Sequence, residues 1–335
     1  MKRLLSIIII LAAVYAVGHF FLFDGTDQAL TVTIPVGASA SQIADILAES
    51  GVTKTTFAPK MLMYISGIHK KMQSGTFYIS KGTSLLGVLR DLSQLQYQER
   101  EITLLEGWNL RDINDYLIKE KIASRAGLVA AMGTPAITKS VGRDWSKEFP
   151  VLLSKPKYLS LEGFVFPDTY RIELNATAED VTRKTLQNFD KKLTPALRLE
   201  IVRQRKTVFE IITMASILER EVRTYESKQL VADIFWRRLT RGMGLEADST
   251  VNYATGKSLP GVTYEDLKIN SPWNTYKYRG LPPGPISNPG LDSIKAAIYP
   301  KSNPYWYFLT PPDGRVIYSK TFEEHIKNKN KYLAR

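Results

Sequence analysis

The chain has 335 residues, with 45 Lys and Arg against 33 Asp and Glu, a formal charge of +12 at neutral pH. That length supports a sizeable core and more than one domain, and the basic excess favours anionic surroundings such as phospholipid or an acidic polymer. The absence of cysteine rules out disulfides, thiol catalysis and a lipoprotein anchor. The only histidines, His19, His69 and His325, lack any metal-ligand spacing, and no basic run carries interleaved aromatics, so neither a metal nor nucleic acid is expected.

In chain order, Leu4 to Phe23 is uncharged and reaches the length of about 20 residues that crosses a bilayer as a helix. Lys2 and Arg3 precede it while Asp24 and Asp27 follow, an arrangement that keeps the N-terminus cytoplasmic. A signal peptide cleaved near Ala16-Val17-Gly18 is the competing reading. After a polar tether, Leu30 to Ile34 alternates as a strand, and Ser41 to Glu49 reads as a helix closed by Gly51. A helix from Phe57 to Ile65, a strand at Thr76 to Ile79 and a helix at Ser84 to Leu92 follow. A further strand and helix fall at Ile102 to Leu105 and Leu110 to Ile118. Residues 120–160 read as mixed helix and loop without a sharp chemical signal, and Leu161 to Tyr170 is dense in aromatics and turn formers. Ala176 to Arg205 is a charged helical stretch broken near Thr194-Pro195.

Val208 to Val222 reads as a buried helix started by a capping box, Thr207 with Glu210. At about 100° per residue, Val208, Ile211, Ile212, Ala215, Leu218 and Val222 share one face, and Glu219 lies within it. Glu221 should point about 160° away. A carboxylate among aliphatics is costly to ionise, which raises its pKa and suits a general acid. An ordinary ion pair, for instance with Arg223, is the competing reading for Glu219. Ser227 to Arg241 makes another helix stopped by Gly242. Leu245 to Tyr253, Ser271 to Tyr276, Gly280 to Ile286 and Asn288 to Gly290 then read as rigid, shaped loops anchored by Trp273, Tyr276 and Leu281. A helix from Asp292, a hairpin across Pro311 to Gly314 and a closing helix from Phe322 to Leu333 complete the chain.

Residues 29–100 resemble a LysM domain, a βααβ module that recognises N-acetylglucosamine polymers, through Ile34-Pro-Val-Gly37, Ile43-Ala44, Leu47 and Gly51. The ordered set Leu161-Glu-Gly-Phe-Val-Phe-Pro-Asp-Thr-Tyr170, Ala215-Ser-Ile-Leu-Glu-Arg-Glu221, Ala247-Asp-Ser-Thr-Val-Asn-Tyr253, Ser271-Pro-Trp-Asn-Thr-Tyr276, Gly280-Leu-Pro-Pro-Gly-Pro-Ile286 and Asn288-Pro-Gly290 is similar to the MltG (YceG-like) endolytic murein transglycosylase family. By that resemblance the catalytic glutamate falls on Glu219, and Asp248, Thr250, Asn274, Thr275, Tyr276 and Glu162 are expected to bind substrate. No metal or other cofactor is implied. The expected fold class is α+β: an N-terminal transmembrane helix (residues 1–28 with its tether), a small LysM-like module (29–100), and a mixed α+β catalytic domain (101–335) with a buried catalytic helix and a loop-lined groove.

The implied reaction needs one acid. Protonated Glu219 would release the glucosamine oxygen, and the muramic acid C6 hydroxyl would close on C1 to give a 1,6-anhydro end. The implied place is the cytoplasmic (inner) membrane, single-pass, with the catalytic domain outside the cytoplasm. The implied partners are peptidoglycan strands and neighbouring peptidoglycan synthases. Two alternatives stand beside this one: a non-catalytic glycan-binding scaffold, and a hydrolase using Glu219 with Asp248 as paired carboxylates.

Overall fold

The computed structural model describes residues 26, 28–94, 99–140, 142–257 and 261–333. The chain divides into two compact units, one reaching to Arg100 with Glu173–Asn175, the other comprising Glu101–Ile172 and Ala176–Arg335. Helices and three two-stranded sheets make the fold α+β.

In the first unit, β1 (Leu30–Ile34) pairs antiparallel with β2 (Gly75–Ile79), Val32 lying opposite Phe77. Their alternate residues turn inward, as the two-residue period of a strand requires. Val32, Ile34, Phe77 and Ile79 are buried. Between the strands run α1 (Ala40–Glu49) and α2 (Phe57–Ile65), and α3 (Leu85–Ser93) follows. Ser39 and Gln42 cap α1 reciprocally, and the Ser84 hydroxyl accepts from the Gly87 N–H at the start of α3. Ile43, Leu47, Met63, Val88, Leu89 and Leu92 close the core over the sheet.

Next in the chain, β3 (Glu99–Thr103) pairs with β4 (Thr169–Glu173). Helix α4 (Leu110–Lys119) stands where the sequence predicts one, and α5 (Arg125–Met132) takes up part of the 120–160 stretch that carried no sharp signal. The long charged stretch divides into α6 (Ala178–Lys192) and α7 (Pro195–Arg203), where Pro195 occupies the first turn it suits. The central element of the second unit is α8 (Val208–Glu221), packed by α9 (Tyr225–Thr240), α10 (Asp248–Thr255) and α12 (Leu291–Ile298), with a short α11 (Tyr264–Leu267) between the last two. Ile211 to Leu218 is buried without a break. A helix covered on every side offers no solvent face. The hairpin β5 (Tyr307–Leu309) and β6 (Ile317–Ser319) and the helix α13 (Phe322–Tyr332) end the described chain.

Two expectations are corrected. No helix among the described residues is long and apolar enough to cross a membrane; the longest described, α9, has 16 residues and carries charges along it, against about 20 apolar ones for a span. The transmembrane helix and the single-pass placement in the inner membrane are therefore not features of this structure, and Leu4–Phe23, on which they rested, lies outside the described residues. Secondly, Asp248–Thr255 is a helix, not loop.

Candidate active site

The C-terminal turn of α8 carries Glu219 and Glu221 into two different surroundings. Glu219 Oε1 accepts from Lys228 Nζ at 3.0 Å, and Oε2 accepts from the Gly290 N–H at 2.9 Å and the Ser293 hydroxyl at 2.7 Å. The two charged side chains are nearly shut off, 9% exposed for Glu219 and 5% for Lys228. Gly290 and Ser293 belong to the start of α12, where the helix dipole favours a negative charge. The exposed Glu106 stands at the same corner; partial desolvation first, then the charge of Glu219, pushes its carboxyl above the usual range. A Cβ on Gly290 would meet the Glu106 carboxylate, which would have to swing aside.

The loops expected to border the acid are not brought to Glu219; they converge on Glu221. Glu221 Oε1 accepts from the Ser249 hydroxyl at 2.7 Å and from the Ser249 N–H at 3.4 Å. Beside it, Asp248 Oδ1 accepts from the Tyr276 hydroxyl at 2.6 Å. Burial pushes the Glu221 carboxyl up to about 6, the nearby Asp248 charge adds to this, and the Ser249 donors oppose it. The C-terminal end of α8, with its outward carbonyls, disfavours the ionised form as well. Glu221, like Glu219, is half-buried, and Tyr276 is 40% exposed. Burial and Asp248 hold the Tyr276 hydroxyl far above its usual range, so it remains a donor.

The other expected binding residues form the frame of this corner. Thr250, Asn274 and Thr275 are buried. The hydroxyls of Thr250 and Thr275 lie 2.9 Å apart, and Thr275 Oγ1 accepts from the Ala247 N–H at 3.1 Å. The Asn274 amide donates to the carbonyls of Leu267 and Ile269 and its oxygen accepts from the Tyr276 N–H. These contacts tie the 274–276 loop to the first turn of α10, which sets Asp248, Ser249 and Tyr276 around Glu221.

Glu162 stands apart from that corner, 3% exposed. Its carboxylate accepts from the Leu110 N–H at 3.0 Å, the Tyr253 hydroxyl at 3.0 Å and the Asn288 amide at 3.2 Å. Burial pushes it up to about 8 against the pull of Leu110 and Tyr253. It anchors three segments to one another. Gly163 beside it has φ +86°, and a Cβ there would meet Pro285 at 2.6 Å, so the Glu-Gly pair is fixed by backbone conformation and packing together.

Helix periodicity and the family resemblance both placed the acid on Glu219; α8 is buried on all faces over Ile211 to Leu218, while in its last turn Glu219 and Glu221 are both half-buried. A signal for the pairing was present in the next helix: Lys228, Val231 and Phe235 share a face, so a lysine on an apolar stripe needed a buried acid.

These features define an α+β domain whose enclosed central helix ends in two half-buried glutamates, one of them with a raised pKa and braced by a short helix and a tyrosine-bearing loop. The chain belongs to the YceG-like family, whose profile matches residues 32–331. It is 32% identical over 312 residues to the Bacillus subtilis (strain 168) protein named endolytic murein transglycosylase, covering 91% of this chain and 85% of that one. A relative of the same name from Streptococcus pneumoniae (serotype 2, strain D39) is 29% identical over 358 residues, which span 97% of this chain and 64% of the relative. The crystal structure of a YceG-like protein from Listeria monocytogenes superposes with a TM-score of 0.61 at 30% identity, over 90% of this chain and 98% of that one.

Proposed function

We propose that this protein is a lytic transglycosylase of peptidoglycan with Glu221, in place of Glu219, as its single acid and base. The observation that carries the reading is a half-buried glutamate whose carboxyl is raised to about 6 beside Asp248, Ser249 and Tyr276. The names of the relatives supply the substrate, murein.

Protonated Glu221 donates to the glycosidic oxygen between N-acetylmuramic acid and N-acetylglucosamine, and the C1–O bond breaks toward an oxocarbenium-like centre. Ionised Glu221 then takes the proton of the muramic acid C6 hydroxyl, and O6 bonds to C1. The products are a free glucosamine hydroxyl and a 1,6-anhydromuramic end, with the proton returned to Glu221 and no water consumed. Ser249 holds Oε1, which leaves Oε2 to carry the proton. Asp248, kept oriented by the Tyr276 hydroxyl, opposes the positive charge that grows at C1. Cleavage within nascent strands would limit their length.

Purified protein should convert uncrosslinked murein to anhydro-ended fragments, resolved by mass spectrometry. Glu221→Gln should abolish them while leaving the circular dichroism spectrum unchanged. The closeness of Asp248 to Glu221 also suits a two-carboxylate hydrolase, and reducing ends carrying oxygen from labelled water would replace the transglycosylase reading by that one.

A further inference from the structure

A cavity of about 490 Å³ opens in the second unit between α9 and the C-terminal hairpin, lined by Arg241, Met243, Trp306, Tyr307, Lys320 and Phe322. Its floor is aromatic: the Tyr307 ring lies 5.7 Å from Phe322 and 5.4 Å from the stacked ring of His325. Arg237 and Arg238 sit over the Trp306 and Tyr307 rings, at 4.5 and 5.0 Å. Its rim is cationic. Neither Arg241 nor Lys320 has a side-chain ion pair among the described residues. The acids nearby are engaged: Glu246 lies 3.8 Å from Arg238, and Glu324 accepts from the Lys320 N–H at 2.7 Å.

The cavity connects with the site through one stretch of chain. Arg238 donates to the carbonyls of Gly244 and Leu245, and the Glu246 N–H donates to the Thr275 carbonyl before the chain enters α10 at Asp248.

We propose that this cavity binds the carboxylate-bearing peptide that murein carries on its muramic acid. The proposal rests on murein being the substrate. An aromatic floor alone would suit a sugar face, but two unpaired cations at the rim select carboxylates. The peptide is a short chain of small apolar side chains and free carboxyl groups joined to the same sugar whose C1 is attacked, and the 243–248 segment runs from Met243 at the cavity to Asp248 beside Glu221.

The test measures binding to full-length Glu221→Gln protein, followed by tryptophan fluorescence. The probes are uncrosslinked murein strands with peptides intact, and the same strands stripped of peptides by an amidase. Intact strands should bind about tenfold more tightly. Arg241→Ala with Lys320→Ala should erase that preference by weakening only the intact strands, and Lys320→Glu should weaken them further. Both positions are exposed, and unchanged circular dichroism checks the fold. Equal affinity of wild-type sites for the two probes, or a preference that survives the double substitution, overturns the proposal. Product analysis on unsubstituted protein is a separate readout: missing anhydro ends with the peptide preference intact would sink the catalytic reading and leave this one standing.

Discussion

Glu219 and Glu221 are separated by a single residue, yet opposite in kind. Each hydrogen bond of Glu219 comes from a donor, and Lys228, the cation it meets, is as enclosed as its own side chain. Glu219→Ala strands that lysine, which should cost about 3 to 5 kcal/mol in urea unfolding, and leucine at both positions should recover most of the loss. Glu221→Gln should shift stability by less than about 1 kcal/mol. The pH dependence belongs to Glu221. A general acid works protonated, so kcat/KM should fall about tenfold per unit above pH about 6, read by release of anhydro-ended fragments. Ser249 favours the ionised form, so Ser249→Ala should move this limb to higher pH. The same raised pKa makes ionisation of Glu221 oppose folding: the contribution of its protonated form is full below the ordinary 4.5 and is lost as pH rises through about 6.

At the scale of elements, α10 explains how the site is assembled. Its N-cap, Ala247, has no side chain to accept a hydrogen bond. The Ser249 N–H in its first turn goes instead to Glu221 of α8, so the acid helps to cap the helix that flanks it. The second tie is the buried hydroxyl pair of Thr250 and Thr275. Thr275→Val removes the acceptor of the Ala247 N–H and the partner of Thr250. It should cost about 1 to 3 kcal/mol in thermal or urea unfolding and lower kcat, because Asp248 and Ser249 ride on that turn.

At the scale of the whole molecule, the hydrophobic side chains gather into separate cores. Val32 to Leu92 supply one, and Ile102 to Ile298 the other, with no residue in common. Leu89→Ala should lower one calorimetric transition and Ile217→Ala the other, each by about 2 to 5 kcal/mol, leaving its counterpart in place. A single merged transition shifted by both substitutions would contradict this.

Local chemistry was readable wherever the signal was local. The capping box of Thr207 and Glu210 placed the start of α8, the helix read from Phe57 to Ile65 matched α2 residue for residue, and Pro195 marked the break before α7. The motifs that carry the site also stood in the sequence, including the Glu-Arg-Glu triplet. Which of its two acids faces the loops did not, because helical periodicity separates faces but cannot say what covers them when both are buried. Helix α10 escaped notice for a related reason: the carboxylate that takes its first-turn N–H lies 28 residues away in the chain. Pairing of Glu219 with Lys228, and of Glu221 with Ser249, is set by how α9, α10 and α12 pack around α8, and only the tertiary structure decides it.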